Sequence, residues 1–388
     1  MKKTVLFPLV ALIAAEVVFT AFFLTAKPGL DGFAPRLSTG ADICDYRAFI
    51  KYCLIEEQPY RPRMIEAHDA CYPPVAYCLV GFFPATSTGR NAYVSALAAG
   101  LLAGFLVFLF QRSRRGALAC LCATLVTVPF VSGPLRGNPS AWAAGALFVH
   151  LAWFDATSRW KRVVAAVALG FATSLKITPV VYGLLYLRGK LLDPRAWPRR
   201  EIILSALAFL LFFAIPFLFF GGPGEVCAWF QNALGNSRHY SREATVGILP
   251  FVALFASPVP PWALELTVHL THGLAALLCL AACFQRQFHS ALTLLGCAMM
   301  LLCHHDYGLV YLLPAFACWV SESCSSSEVG WSGTAVLIVE SALWLLCLEP
   351  ALCVISFRML DVNEMICSGA CMALAIITVV SNARRAHA

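Results

Sequence analysis

Long, unbroken apolar runs alternate along this chain with short polar turns, most of them basic. Runs such as ALAAGLLAGFLVFLF (96–110) lack a polar residue at every second position, so they do not read as strands of a membrane barrel. Stretches near twenty apolar residues read instead as spanning helices. The pattern predicts an all-α, polytopic membrane protein with about twelve crossings and no separate soluble domain.

Lys2 and Lys3 ahead of the first run place the N-terminus in the cytoplasm. That run, residues 4–26, is longer than a secretory leader's apolar region and holds Glu16, so it is expected to stay as a first span. Residues 27–89 then lie outside. The run 91–110 returns to a basic turn, Gln111 to Arg115; 117–132 goes out to GPLRGNP (133–139), expected as a short outer turn. Residues 140–157 come back to Ser158–Arg162, and 163–187 must begin and end inside, because 188–200 is again basic. Two helices of about 12 residues rise only ~18 Å each, against a hydrocarbon core of ~30 Å. A short hairpin is therefore expected, with its tip at Lys176-Ile177-Thr178-Pro179 below the outer surface. Residues 202–220 lead to a second outer island, 221–243. Further runs at 262–283, 288–303, 308–320, 331–349 and 363–380 return the C-terminus to the cytoplasm, and 245–257 reads as re-entrant or interfacial.

Composition sharpens this picture. Of 388 residues, 60% are apolar and 13% charged, with a mean hydropathy of +0.75; a soluble protein is nearer a quarter charged. The net charge of +7 comes from basic residues at the ends of apolar runs, which is orientation rather than nucleic-acid binding. Many of the 17 cysteines lie inside apolar runs as small hydrophobes, and no paired CxxC of zinc spacing occurs. Cys44, Cys53 and Cys71 share the outer loop and could form a disulfide in an oxidising compartment; the sequence does not choose the pair.

The outer loop carries the candidate chemistry. Between Gly40 and Pro84 lie Asp42, Asp45, Glu56, Glu57, Glu66 and Asp69, out of 21 carboxylates in the chain. Residues 42–54 have the spacing of a helix lying on the membrane surface, and Tyr72-Pro73-Pro74 opens a second short apolar helix with proline in its first turn, expected as another surface helix of the same loop. The same outer side receives Arg136-Gly137-Asn138, Lys176, Asn236-Ser237-Arg238-His239 and His304-His305-Asp306. A carboxylate, cations, amides and imidazoles converging on one face suit attack by a hydroxyl on an anionic, lipid-carried donor: the carboxylate takes a proton, and the cations hold a leaving phosphate. Other readings stand beside this one. Asp42 has the form of a helix N-cap, Asp45 is an alternative base, and Lys176 could snorkel to the interface. Asn138 and Asn236 are ordinary turn residues. Adjacent histidines point about 100° apart on a helix, which disfavours a metal site at His304, His305 and Asp306. Glu16 and Glu340 within spans call for polar partners in the bundle.

In order along the chain, Asp42-Ile43-Cys44-Asp45-Tyr46, Tyr60 with Tyr72-Pro73-Pro74, Arg136-Gly137-Asn138, Ser174 to Pro179, Gly235-Asn236-Ser237 and His304-His305 resemble the motifs of glycosyltransferase family 87. That resemblance covers about residues 5–315. It implies the glycosyltransferase-C architecture, a polyprenyl-phosphate-linked sugar as donor, with mannose the expected sugar, and a glycolipid or glycan as acceptor. It implies a catalytic aspartate at Asp42 and a histidine at His304 or His305; no cofactor and no metal are expected. Asp45, Tyr46, Tyr72, Arg136, Asn138, Lys176, Asn236 and Arg238 are the expected substrate contacts. The serine-proline and tryptophan usual ahead of the family's histidines are replaced here by MMLLC. The implied location is a bacterial inner membrane, with the site in the 27–89 loop on the extracytoplasmic face of a single 1–388 transmembrane domain. The rival classes are a secondary transporter or lipid flippase, which midplane charges on repeated, broken helices would favour, and a non-catalytic partner subunit that has kept the fold.

Overall fold

The computed structural model describes residues 10–15, 17–18, 72–112, 117–192, 199–219, 221–242, 248, 251–252, 260–303, 306–325, 331–348 and 360–387. All regular structure among them is helical. The helices are α1 (Pro74–Gly81), α2 (Ser87–Arg112), α3 (Ala117–Leu125), α4 (Val128–Arg136), α5 (Ser140–Trp153), α6 (Arg159–Leu175) and α7 (Leu184–Leu192). They continue with α8 (Arg199–Phe217), α9 (Glu225–Arg242), α10 (Pro261–Cys283), α11 (Phe288–Cys303), α12 (Leu313–Ser325), α13 (Trp331–Leu348) and α14 (Leu360–His387). Two 3-10 segments, Thr178–Gly183 and Asp306–Leu312, precede α7 and α12.

Among the described residues, α2, α8 and α10 are long and apolar enough to cross a membrane, and α3 with α4 makes a fourth span if the bent pair is counted as one. Large apolar side chains remain exposed along them: Leu207, Leu210, Leu211 and Ile215 on α8, Leu266, Leu270, Leu277 and Leu280 on α10. Such a belt fits a hydrocarbon surround and not water.

The centre of the bundle is α2 against α5. Every third or fourth residue of α2, from Tyr93 through Leu97, Leu101 and Phe105 to Phe108, is buried. The two helices run parallel: Tyr93 stacks edge-on against Trp142 at 5.5 Å, the Trp142 indole donates to Ala96 O at 2.8 Å, and Arg112 at the far end pairs with Asp155. Between these ties the backbones nearly touch. A Cβ added at Gly104 would lie 2.1 Å from Gly145 O, and one at Gly145 would lie 2.5 Å from Gly100 O. Gly170 of α6 repeats the device against α8, where a Cβ would meet Ser205 O at 2.6 Å.

Residues expected on the inner side meet at one pole. The Arg112 guanidinium donates to Leu151 O at 3.0 Å and lies 4.8 Å from the centre of the Phe288 ring. Arg162 pairs with Glu201 at 2.9 Å, Arg188 donates to Gln285 O and Arg286 O, and His289 pairs with Glu322. Glu340, one of the in-span carboxylates, accepts from the Trp319 indole at 2.8 Å.

Several local expectations are corrected. The GPLRGNP turn is shorter than its residues imply, because α4 continues through Pro134 to Arg136. The proposed hairpin of two equal helices is lopsided: α6 has 17 residues, rising about 26 Å, and α7 has 9. Its break does fall at Lys176, where the backbone is extended (φ −154, ψ 126). Pro179 dictates this, since its ring would meet the Leu175 carbonyl if the helix continued. The short helix at Tyr72-Pro73-Pro74 exists as α1, but it is not a surface helix. Val75, Ala76, Tyr77 and Val80 are buried, with Val75 and Ala76 packed in one cluster with Ala143, Ala172 and Leu175. The second outer island is not loop either, for Asn236 and Arg238 fall within α9.

Candidate functional site

At the pole opposite the arginine ties, three separate pieces of sequence form one hydrogen-bonded group. It starts at the end of α4. Gly137 takes a left-handed conformation (φ 78, ψ 24), with Gly137 N–H donating to Pro134 O at 2.9 Å and Asn138 N–H to Gly133 O at 3.1 Å. That pair of bonds is a Schellman ending, which consumes the last carbonyls of α4 and reverses the chain in a single residue. Only glycine adopts this φ without steric cost.

The reversal delivers Asn138, 1% exposed, into the gap before α5. Its Oδ1 accepts from Ser140 N–H at 2.9 Å, an Asx turn that starts the helix. With the oxygen fixed there, the amide nitrogen faces the other way and donates to the Tyr72 hydroxyl at 3.2 Å. Tyr72 stands just ahead of α1, held by its own N–H donating to the Tyr77 hydroxyl at 3.3 Å and by an edge-on ring contact of 6.4 Å. Burial of Tyr77 and Val80 fixes α1, so Tyr72 is placed by packing rather than by a loose loop.

Lys176 completes the group. The α6 backbone ends at this residue, whose N–H closes on Ala172 O at 3.1 Å, while Nζ donates to Ser140 Oγ at 3.2 Å. The chain of contacts thus runs from Lys176 through Ser140 and Asn138 to Tyr72, joining the break after α6, the α4–α5 turn and the start of α1. Arg136, the last residue of α4, lies two positions from Asn138 on the same turn.

The expected site residues divide as follows. Tyr72, Asn138 and Lys176 are brought together, with Arg136 beside them in the chain. Asn236 and Arg238 stand on α9 as helical positions. Asp42, Asp45, Tyr46, His304 and His305 lie outside the described residues. Ser140 was not singled out from sequence, although a serine directly before the apolar run of α5 is a helix-start signal. Its second use, as acceptor for a lysine 36 residues on, has no local signature.

Chemically, an ammonium, a phenol and an amide held in series make a donor-rich, charge-bearing cluster. It suits an anionic group better than a neutral one. A family model described as glycosyltransferase family 87 matches residues 70–304. The match takes in Tyr72, Arg136, Asn138, Lys176, Asn236, Arg238 and His304, and leaves Asp42, Asp45, Tyr46 and His305 beyond its ends. No curated protein matches the chain.

Proposed function

The chain belongs to glycosyltransferase family 87, and on that premise we propose that it moves a sugar, mannose, from a polyprenyl-phosphate carrier to a glycolipid or glycan acceptor at the extracytoplasmic face of a bacterial inner membrane. The observation that carries this reading is the contact series Lys176–Ser140–Asn138–Tyr72, gathered from distant segments at one pole.

In the proposed reaction Asp42 takes the proton of an acceptor hydroxyl while that oxygen bonds to the anomeric carbon. The bond from the anomeric carbon to the phosphate oxygen breaks, and the carrier leaves as polyprenyl phosphate. Attack from the side opposite the phosphate inverts the anomeric centre, and one carboxylate base suffices for it. Lys176 and Arg136 stabilise the charge that grows on the phosphate. His304 or His305 contributes a hydrogen bond or proton to the same group, and Asp45, Tyr46, Asn236 and Arg238 contact the substrates. The 27–89 segment acts as the catalytic loop of a single transmembrane domain with about twelve crossings, and no cofactor is required.

Transfer of radiolabel from a polyprenyl-phosphate sugar to membrane acceptors is the test. Asp42→Asn is expected to keep the fold and abolish transfer, a loss of at least about a thousandfold for a positioned base acting with its proton. Lys176→Ala is expected to lower kcat/KM through a reduced kcat as well as a raised donor KM, because the ammonium serves both the bound and the leaving phosphate. Full transfer by Asp42→Asn removes the assignment of the base. Label that crosses vesicle membranes without ever joining an acceptor favours a transporter or flippase instead.

A further inference from the structure

The register of α2 against α5 brings an additional cation to this pole. Arg90 sits in the first turn of α2, on the same stripe as buried Tyr93, Leu97 and Leu101. It is therefore directed at the protein interior and not at lipid. Tyr93 packs on Trp142, and the two helices run parallel. One turn back from Tyr93 is Arg90, and one turn back from Trp142 is the Asn138-Pro139 turn. Side chains lean toward the N-terminus of their helix, so Arg90 reaches further in the direction of the Tyr72–Asn138–Lys176 group.

The backbone beneath it is pinned. Thr86 Oγ1 accepts from Gly89 N–H at 3.1 Å and Thr86 O accepts from Arg90 N–H at 2.9 Å. Gly89 presses so closely on the preceding turn that a Cβ there would lie 2.0 Å from Pro84 O. Arg90 itself is half-buried, and its Nε is shielded from solvent with no hydrogen-bond partner. A buried guanidinium nitrogen without an acceptor is costly in a protein and calls for an anionic or carbonyl oxygen. A lipid-facing arginine would instead snorkel to water.

We propose that Arg90 is a phosphate-binding residue of the donor site, placed by the parallel register of α2 and α5 to meet the carrier phosphate held by Lys176. This rests on the donor reading given above. A guanidinium binds phosphate through two parallel N–H bonds, which an ammonium cannot reproduce.

The test uses the full-length protein in nanodiscs, with short-chain polyprenyl monophosphate as probe and the matching polyprenol, lacking the phosphate, as control. Wild type is expected to bind the phosphate more tightly than the alcohol. Arg90→Gln is expected to lose about tenfold in phosphate affinity with polyprenol affinity unchanged, and to raise donor KM with kcat nearly preserved. Arg90→Lys, the variant least apt to disturb folding, falls between the two. Unchanged phosphate binding by both variants, or equal losses for phosphate and alcohol, overturns the role of Arg90 and leaves the donor reading intact. A wild type that does not distinguish phosphate from alcohol overturns both.

Discussion

Gly137 shows how one residue can hold a site together. Its left-handed conformation turns α4 into α5, and the turn sets the position of Asn138, hence of Tyr72 and Ser140. Gly137→Ala puts a Cβ against the following carbonyl, at a cost of about 1–2 kcal/mol. A lower unfolding temperature in detergent and a raised donor KM are expected together. Gly133→Ala, four residues earlier inside α4 with nothing near the added methyl, is the control and is expected to leave KM unchanged and stability equal or slightly higher, because alanine favours a helix. Loss of stability without any change in KM would detach the turn from the site. At this scale the sequence was informative where chemistry is local. Lys176 before Thr178-Pro179 and Asn138 after glycine announce a helix break and a turn through backbone sterics. That the lysine then finds Ser140 required the three-dimensional packing of α5 beside α6.

Among whole elements, the α2–α5 pair depends on absent side chains. Gly100 and Gly104 form a small-residue seam against Gly145, and dispersion between backbones replaces the hydrophobic effect as the attractive force in lipid. Gly104→Ala is expected to destabilise the protein by about 1–3 kcal/mol through overpacking, measured by thermal unfolding. Gly273→Ala on α10 has open space around it and is expected to be neutral or slightly stabilising, because alanine favours a helix. If the two variants melt alike, the seam carries no weight. The element that sequence misread is α9. Gly235, Asn236 and Ser237 are turn formers by composition, yet the helix runs through them to Arg242. Trp229 anchors it against Phe213 of α8 at 4.8 Å, with Asn232 buried on the same side. Tertiary packing of an amphipathic face outweighs weak local propensity. α1 was misplaced for the complementary reason: its outer, loop-embedded address says nothing of the slot beside α5 and α6 that receives it.

For the molecule as a whole, sidedness is the main physical claim. The turns that charge alternation assigns to the inner face are tied to one another through Arg112, Arg162 and Arg188, and the candidate site gathers at the other end. Thr157, exposed beside Asp155, and native Cys227, exposed at the start of α9, stand at opposite poles. In intact cells a membrane-impermeant maleimide is expected to modify Cys227, and Thr157→Cys only after permeabilisation, read peptide by peptide. The reverse pattern would turn the protein over in the membrane and put the site on the cytoplasmic side.

Sequence alone determined the solvent, the helical class, the placement of several helix breaks and which basic turns share one end of the bundle. All four follow from properties that act residue by residue: hydrocarbon solubility, backbone sterics at proline and glycine, and the cost of moving Lys and Arg across a bilayer. Tertiary structure alone decided which helices touch, the burial of α1, the continuation of α9 through its turn formers, and the meeting of Lys176, Ser140, Asn138 and Tyr72. Those depend on the fit of distant surfaces, where a missing Cβ or a shared hydrogen bond selects one packing among many, and such fits leave no periodic trace along a chain.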